Sequence, residues 1–333
     1  MHVHFETLSS NPPTFQIKPE EIVEAFRRSG LDASKFPTSF GRDLLDLDTW
    51  APETEALVTA FNILTRPGFP LRSLKERLPK LRWIHLTSAG IDKVLPLDWL
   101  PPDIVLTNSS GIHSRKSREY AFMSLTALNM RLPQIIANQS RKVWQQIYTP
   151  SVAGRTVVVI GLGALGSAAA QAAKSLGMRV LGVRRSDRPH PDVDQLYPFD
   201  RLNEALAEAD IVYVATPLTP ETRDLIGKRA FAAMKPGAGI VNIGRSAIVD
   251  YDELAVRLSN GLVSGAVLDV FDPEPLPPQS PLWSAPNLLI TPHIGMDEAD
   301  DYILQALGLF FDSMPAFLAG AKLPTAIDRS LGY

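Results

Sequence analysis

Three segments in the second half of the sequence each follow an apolar run and present a side chain that can bind an anion or transfer a proton. The segments NIGR, DVFDPEP and TPHIG supply Arg245, Glu274 and His293 respectively. A guanidinium can hold a carboxylate, an imidazole can give or take a proton, and a carboxylate can orient that imidazole. We therefore expect these three residues to be the catalytic set of a site that protonates an oxygen of an anchored anion.

A glycine-rich turn follows a β-branched run earlier in the chain. The sequence VVVIGLGALG places Gly161, Gly163 and Gly166 between a pattern typical of a strand and one typical of a helix. Such glycines permit a tight turn and a close approach of the backbone to a pyrophosphate, which the free N–H groups of the helix then bind. The motif predicts dinucleotide binding, and the alternative is a structural turn without a ligand.

The residues after the next strand indicate which dinucleotide is bound. An NAD site normally carries Asp or Glu here for the ribose 2′-hydroxyl, whereas this chain has Arg184, Arg185 and Ser186. Guanidinium groups can bind a 2′-phosphate that a carboxylate would repel. We therefore expect NADP(H), with NADPH preferred and NADH as the alternative. The competing interpretation is that both arginines are merely solvated.

A nicotinamide coenzyme beside Arg245, Glu274 and His293 would suit reduction of a 2-keto acid, because the site then combines an anion anchor, an orienting carboxylate and a proton donor. In a doubly wound sheet, residues that follow the strands face the same crevice as the glycine turn. A metal site is not expected, since no two histidines stand four residues apart beside a glutamate. His85 and His113 flank the expected pocket; we expect both to be structural, and the alternative is that they contact the substrate.

Short apolar runs alternate with helical patterns along the chain, which is typical of an α/β fold with parallel sheets. In the first third the expected strands are Val3–Glu6, Leu57–Leu64, Leu81–Leu86 and Ile104–Asn108. A second series is expected at Thr156–Ile160, Arg179–Val183, Ile211–Ala215, Ile240–Ile243, Gly265–Leu268 and Leu288–Thr291.

The fold class that follows is α/β, with two Rossmann-like open parallel-sheet domains. Residues 1–114 with 297–333 are expected to form a discontinuous, flavodoxin-like substrate-binding domain, and residues 115–296 a doubly wound dinucleotide-binding domain. Two long helical patterns, Arg115–Arg131 and Glu298–Met314, are expected to join them as hinge helices. Pro315 is expected to kink or end the second helix.

The composition limits the class of protein. With 333 residues, the chain suggests about two domains at roughly 150 residues each. The lack of cysteine excludes disulfides, cysteine-ligated metal clusters and thiol nucleophiles. A net charge of -3 gives no indication of a nucleic-acid partner. The N-terminal residues lack the basic and apolar regions of a secretory signal, so we expect a cytoplasmic protein without a membrane partner.

Taken together, these motifs and the PLTPET segment at residues 217–222 resemble the D-isomer-specific 2-hydroxyacid dehydrogenase family over nearly the whole chain. Within it, the sequence is most like the NADPH-dependent glyoxylate/hydroxypyruvate reductases. The resemblance implies that Arg245 binds the substrate carboxylate and keto oxygen. It also implies that His293 is the general acid/base with Glu274 as its partner, and that Asp269 holds the nicotinamide carboxamide.

The resemblance also implies further binding residues. The TSAGID segment is similar to a family loop whose backbone amides hold the substrate carboxylate, which here are those of Ser88, Ala89 and Gly90. The residues expected to contact the cofactor are Gly161, Gly163, Ala164, Leu165, Gly166, Arg184, Arg185, Ser186, Thr216, Pro217, Thr222, Ile243, Gly244, Asp269 and Gly295.

The sequence supports two alternative hypotheses about function. The first is an oxidoreductase that transfers a hydride from NADPH to the keto carbon of a glyoxylate- or hydroxypyruvate-like acid and yields the D-2-hydroxy acid. The alternative is a non-catalytic, dinucleotide-sensing protein like the family's corepressors. A turnover assay distinguishes them. The resemblance further suggests a homodimer.

Overall fold

The computed structural model describes residues 1–329 and divides the chain into two compact units. The first unit contains Met1–Ile112 and the segment that begins at Glu298, and the second contains His113–Asp297. These boundaries differ by one or two residues from the expected ones, 114/115 and 296/297. The first unit is thus discontinuous in sequence, because the chain returns to it after completing the second.

Both units consist of parallel strands alternating with helices. The strands are β1 (Val3–Thr7), β2 (Thr38–Arg42), β3 (Ala56–Thr59), β4 (Trp83–Leu86), β5 (Val105–Thr107), β6 (Thr156–Ile160), β7 (Arg179–Val183), β8 (Gln195–Tyr197), β9 (Ile211–Val214), β10 (Ala238–Asn242), β11 (Val263–Leu268) and β12 (Leu288–Ile290). The helices are α1 (Pro19–Ser29), α2 (Leu47–Trp50), α3 (Phe61–Leu64), α4 (Leu74–Arg77), α5 (Ser114–Asn129), α6 (Leu132–Ser140), α7 (Ala164–Ser175), α8 (Leu202–Leu206), α9 (Lys228–Ala233), α10 (Tyr251–Ser259) and α11 (Tyr302–Leu318).

The first unit is built on a five-stranded parallel sheet in the order β2-β1-β3-β4-β5. Every residue of β1, β3 and β4 is buried, as expected for parallel strands covered on both faces. On one face α11 packs with α1, and the ring centroids of Phe311 and Phe26 lie 4.1 Å apart. The opposite face is covered by a second apolar cluster that includes Ile63, Leu74 and Leu81.

The second unit is built on a seven-stranded parallel sheet in the order β12-β11-β10-β9-β6-β7-β8. The strand sequence reverses direction between β6 and β9, which is the position where open α/β sheets bind ligands. One face is covered by α5 and α7, where the small side chains of α7, such as Ala169 and Ala173, pack with Ala121 of α5. The other face packs against α8, α9 and α10.

The expected fold class is confirmed, with corrections at the level of single elements. The run Leu57–Leu64 is not one strand, because the chain leaves β3 at Thr59 and forms α3. Two edge strands, β2 and β8, were not expected. Pro315 does not end its helix, since α11 continues through it to Leu318. Within residues 1–329, no helix is long and apolar enough to cross a membrane.

Candidate active site

The glycine turn after β6 has the geometry of an anion-binding helix start. Gly161 has a φ of +86°, and a Cβ on it would lie 2.7 Å from the Thr216 backbone. A Cβ on Gly166 would lie 1.7 Å from the Gly161 carbonyl oxygen, whereas one on Gly163 would meet nothing within 4 Å. Gly161 and Gly166 therefore permit close packing, while Gly163 leaves open space where α7 begins at Ala164 and Leu165.

The loops after β9 and β10 border this turn. Thr222 is buried and closes the first loop, because its hydroxyl accepts from Thr219 N at 2.8 Å and donates to Pro217 O at 2.7 Å. In the second loop, Gly244 follows the buried Ile243 and packs so closely that a Cβ on it would lie 2.7 Å from Thr216 O. The structure therefore places the loops that carry these expected cofactor residues side by side.

The two arginines after β7 differ in their partners. Arg184 donates from Nε to Ser186 O at 3.1 Å, and its Nη2 is buried without a hydrogen-bond partner in the described chain. Arg185 instead donates to Glu221 Oε2 from Nε at 3.0 Å and from Nη2 at 2.5 Å. A buried unpartnered guanidinium nitrogen is costly, and a phosphate oxygen would satisfy it. Arg184 thus fits a 2′-phosphate as the structure stands, while Arg185 is paired with a carboxylate.

The three expected catalytic residues follow three neighbouring strands. Arg245 comes after β10, Glu274 after β11 and His293 after β12, and these strands are adjacent in the sheet. Because all seven strands are parallel, the three residues lie at the same edge as the glycine turn. Arg245 is half-buried and donates from Nη1 to Gly244 O at 2.7 Å.

His293 and Glu274 are in direct contact. His293 Nδ1 lies 2.9 Å from Glu274 Oε2, and both side chains are 37% exposed. The other carboxylate oxygen, Oε1, accepts from Phe271 N at 2.8 Å, which fixes the carboxylate. Because the carboxylate of Glu274 can only accept, Nδ1 is the donor of this hydrogen bond, and Nε2 is left to face a reacting group. His293 has a φ of +54°, a conformation uncommon for a residue with a side chain.

A buried carboxylate holds the loop that carries His293. Asp269 Oδ1 accepts from Thr291 Oγ1 at 2.6 Å and from Ile294 N at 3.0 Å, and Oδ2 accepts from Gly295 N at 3.0 Å. Burial raises the pKa of Asp269, although these donors and the nearby His293 oppose the rise. The hydrogen bonds from Thr291 on one side of His293 and from Ile294 and Gly295 on the other stabilise its unusual backbone conformation.

Tyr120 of α5 extends this network. Its hydroxyl lies 2.6 Å from Thr291 Oγ1. Since Thr291 donates to Asp269, the tyrosine must be the donor to Thr291. Burial and the charge of Asp269 raise the pKa of Tyr120, which keeps that donor proton in place.

The first unit contains the other expected loop, Ser88 to Gly90. Its carbonyl oxygens are occupied, because Ser109 N donates to Ser88 O at 3.1 Å and Asn108 Nδ2 donates to Ala89 O at 2.6 Å. The N–H groups of residues 88, 89 and 90 have no acceptor within the described part of the chain. Consecutive free N–H groups of this kind can bind an anion.

His85 and His113 both have hydrogen-bond partners within the protein. His85 is buried and bonded to Thr107 and Ser109, and His113 is buried with Nδ1 3.1 Å from Met296 O. In the described chain, residues 1–329, no group of three or more His, Asp or Glu side chains could hold a metal ion.

Three residues that shape these sites have no role that the sequence alone indicates. Tyr120 and Asn108 support the histidine loop and the Ser88–Gly90 loop, and Glu221 pairs with Arg185. Glu221 belongs to the PLTPET segment, but that motif does not reveal its pairing with Arg185. Nothing in the local sequence distinguishes Tyr120 from an ordinary core residue of an amphipathic helix.

Comparisons with known proteins identify the family. The family model described as "D-isomer specific 2-hydroxyacid dehydrogenase, NAD binding domain" matches residues 122–295. Glyoxylate reductase of Korarchaeum cryptofilum is 33% identical over 265 residues, which are 77% of this chain and 79% of that protein. Glyoxylate/hydroxypyruvate reductase B of Pectobacterium carotovorum is 32% identical over 248 residues, 72% of this chain and 77% of that protein.

Among solved structures, this chain is similar to a D-isomer specific 2-hydroxyacid dehydrogenase from Xanthobacter autotrophicus Py2, crystallised in complex with NADPH and MES. The TM-score is 0.83 at 26% identity, and the match covers 99% of each chain. These findings confirm the family expected from the motifs. The chain belongs to the D-isomer specific 2-hydroxyacid dehydrogenase family, and its second unit contains the family's NAD-binding domain.

Proposed function

We propose that this protein is an NADPH-preferring reductase of small 2-keto acids of the glyoxylate and hydroxypyruvate type, with the D-2-hydroxy acid as its product. The observation that carries the proposal is the 2.9 Å contact between His293 Nδ1 and Glu274 Oε2, located beside Arg245 at the carboxyl ends of adjacent strands. The substrate choice rests on the names of the relatives from Korarchaeum cryptofilum and Pectobacterium carotovorum.

Each residue of the set has one task in this proposal. Arg245 binds the substrate carboxylate and keto oxygen, and its charge stabilises the alkoxide that develops on that oxygen. His293 delivers a proton from Nε2 to the same oxygen, while Glu274 holds the ring by Nδ1 and stabilises its protonated form. Bound NADPH supplies the hydride. The Ser88–Gly90 loop is proposed to offer its free N–H groups to a substrate carboxylate.

We propose that the glycine turn and the neighbouring loops hold the dinucleotide. Gly163, Ala164 and Leu165 would present N–H groups to the pyrophosphate. The unpartnered Arg184 Nη2 would bind the 2′-phosphate, and Arg185 would join it only after leaving Glu221. Asp269 keeps lone-pair capacity on Oδ2 for the nicotinamide carboxamide, in addition to holding the His293 loop.

We further propose that the protein is a homodimer. Large apolar side chains are concentrated at residues 130–148, where Trp144 is 94% exposed and Tyr148 is 85% exposed. Exposed apolar surface of this kind favours association, and a second copy is the partner we propose. Sedimentation analysis should give a dimer, and Ile136→Asp should weaken it. A wild-type monomer at micromolar concentration would refute the dimer. A cytoplasmic location is also part of the proposal.

The proposed reaction is tested by a panel of 2-keto acids with NADPH and with NADH. We expect saturable NADPH oxidation with glyoxylate or hydroxypyruvate, a higher kcat/KM with NADPH than with NADH, and product of D configuration. The alternative, a non-catalytic dinucleotide-sensing protein, predicts NADPH binding without turnover. Tight NADPH binding with no oxidation by any acid of the panel would therefore favour that alternative.

A further inference from the structure

A cavity of about 450 Å³ lies in the second unit, away from the residues described above. Its walls include Ile211 and Ala238, the first residues of β9 and β10, and Arg155, which immediately precedes β6. All strands of this sheet are parallel, so the cavity lies at the amino-terminal edge. The glycine turn and His293 follow the carboxyl ends of strands, at the opposite edge. The cavity is therefore separate from the proposed cofactor and substrate sites.

The charged groups that line the cavity are unbalanced. They are three cations, Arg131, Arg155 and Lys235, and one carboxylate, Asp210. Asp210 Oδ1 lies 3.2 Å from Arg155 Nη1 and 3.3 Å from Lys235 Nζ, so both cations share one oxygen. Asp210 Oδ2 accepts from Thr156 N at 2.7 Å and is therefore already bonded. The cavity walls carry a surplus of positive charge.

Arg131 is the unpaired cation of this group. Across residues 1–329, no acceptor lies within hydrogen-bond distance of its guanidinium. The side chain is half-buried, and its backbone has a left-handed φ of +58°. Burial and the nearby charge of Arg155 lower the pKa of Arg131. Arg155 is paired with Asp210, whereas Arg131 has no carboxylate of its own in the described chain, and an anion bound to Arg131 would relieve the repulsion between the two guanidinium groups.

Neutral donors complete the wall. The side chains of Gln134, Thr149 and Ser264 line the same cavity, and each lacks a hydrogen-bond partner within the chain as described. An amide and two hydroxyls can donate to the oxygens that the guanidinium does not reach. Cations combined with hydroxyl and amide donors suit phosphate or carboxylate oxygens, because charge-assisted hydrogen bonds to such oxygens are strong and directional.

We propose that this cavity binds a small oxyanion, such as a phosphate or a carboxylate, at a site distinct from those of coenzyme and substrate. Its volume lies within the range of small-molecule sites, which is roughly 300–1,000 Å³. Arg131 is the principal anchor, and Arg155 and Lys235 contribute the remaining positive charge. The inference does not depend on the proposed reaction. Arg131, Gln134 and Tyr148 of its wall also lie in the segment 130–148 that we propose as the dimer interface, so the site lies beside that interface. A free anion is the ligand we assign, because the donors line a concave pocket and not a flat face.

The test uses inorganic phosphate as the probe and the full chain saturated with NADPH, so that the coenzyme site is filled. Melting temperature is measured against phosphate concentration at constant ionic strength, with chloride as the balancing salt. For wild type we expect a saturable rise in melting temperature. The apparent phosphate affinity should be at least about tenfold weaker in Arg131→Gln. It should be intermediate in Arg131→Lys, because lysine keeps the charge but lacks the planar fork of the guanidinium. The charge-matched control is Arg229→Gln on the surface of α9, which should behave as wild type.

Several results would overturn the proposal. One is a phosphate response that is unchanged in Arg131→Gln, because binding would then occur elsewhere. Another is equal weakening by Arg131→Gln and Arg229→Gln, which would indicate non-specific charge screening. A third is no phosphate response combined with altered dimer dissociation in Arg131→Gln, because a carboxylate of a second copy would then be the occupant. Circular dichroism of each variant verifies that it is folded.

Discussion

At the scale of single residues, the two adjacent arginines after β7 are chemically alike but differ in their partners. Arg184 keeps a buried guanidinium nitrogen without an acceptor, whereas Arg185 is bound to Glu221. From the sequence, both arginines are expected to bind the 2′-phosphate of the coenzyme. The structure separates them, because Arg185 must give up a charge-assisted pair before it can bind a phosphate.

The first prediction follows from this difference. Arg184→Ala should lower kcat/KM for NADPH by about 10- to 100-fold, since a charge-assisted hydrogen bond contributes roughly 1.5–3 kcal/mol. NADH kinetics should stay nearly unchanged. Arg185→Ala, as the matched control, should have a smaller effect on NADPH. Equal loss with both coenzymes in Arg184→Ala would show that Arg184 does not bind the 2′-phosphate.

A second prediction concerns Arg245, the proposed anchor of the substrate. Arg245→Lys keeps the charge but loses the planar fork that can bind a carboxylate and the keto oxygen together. We expect kcat/KM for the 2-keto acid to fall by about 10- to 100-fold, with both a higher KM and a lower kcat. The dissociation constant of NADPH, measured by fluorescence, should not change. Wild-type kcat/KM in this variant would remove Arg245 from the catalytic set.

At the scale of elements, helix α5 takes part in the site through Tyr120. The hydrogen bonds run from Tyr120 to Thr291 and from Thr291 to Asp269, whose carboxylate holds the backbone on the C-terminal side of His293. A helix of the second unit thereby supports the conformation of a loop on the adjacent sheet edge. The support acts on the position of the imidazole and not on its chemistry.

The third prediction tests this support. Tyr120→Phe removes one donor to Thr291, and a loss of about 1 kcal/mol corresponds to a kcat roughly 3- to 10-fold lower. KM for the keto acid should change little, because the anchor Arg245 is untouched. Tyr213→Phe is the control, since it deletes another buried hydroxyl of the unit that is not bonded to Thr291. A fall in thermal stability with unchanged kcat would indicate a purely structural role for Tyr120.

Elements with strong apolar patterns were predictable, and elements at sheet edges were not. Strands β6 (TVVVI) and β9 (IVYV) are fully buried, and all of their residues except one tyrosine are β-branched. Strand β2 has the sequence TSFGR and alternates between exposed and half-buried residues, so no apolar run identifies it. The run Leu57–Leu64 contains both a strand and a short helix, which apolar composition alone does not separate.

Pro315 shows a different limit of sequence reasoning. Proline removes one backbone donor, which favours the end of a helix. In α11, Phe310, Phe311 and Met314 are fully buried, and their packing keeps the helix intact to Leu318 despite the missing bond.

In the site, the catalytic residues were predictable because each follows a strand in a recognisable motif. Tyr120 was not, because its role depends on a tertiary contact with Thr291.

At the scale of the whole molecule, the buried histidines make stability depend on pH. Burial lowers the pKa of His85 to about 3, and burial also lowers the pKa of His4 and of His113. These rings are therefore neutral in the folded protein at pH values where the unfolded chain already binds protons. Their stabilising effect is complete above pH 6.5 and is lost progressively as pH falls below it.

The fourth prediction isolates His85, which hydrogen-bonds to Thr107 and Ser109 in the first unit. His85→Gln keeps a donor and an acceptor but cannot titrate. Between about pH 6.5 and 4.5, the wild-type free energy of unfolding should fall by an extra amount on the order of 2 kcal/mol that the variant lacks. The measurement is urea denaturation at several pH values, with His190→Gln, outside either core, as the control. Parallel pH profiles for wild type and His85→Gln would contradict the prediction.

The most direct test of the whole account is the rate of NADPH oxidation with glyoxylate by wild type, His293→Ala and Glu274→Gln at saturating coenzyme. Loss of a general acid should lower kcat by about 100- to 10,000-fold in His293→Ala while the NADPH dissociation constant stays the same. Glu274→Gln should lie between that variant and wild type, because an amide oxygen can still accept from Nδ1 but carries no charge. A His293→Ala variant that retained wild-type kcat would contradict the account.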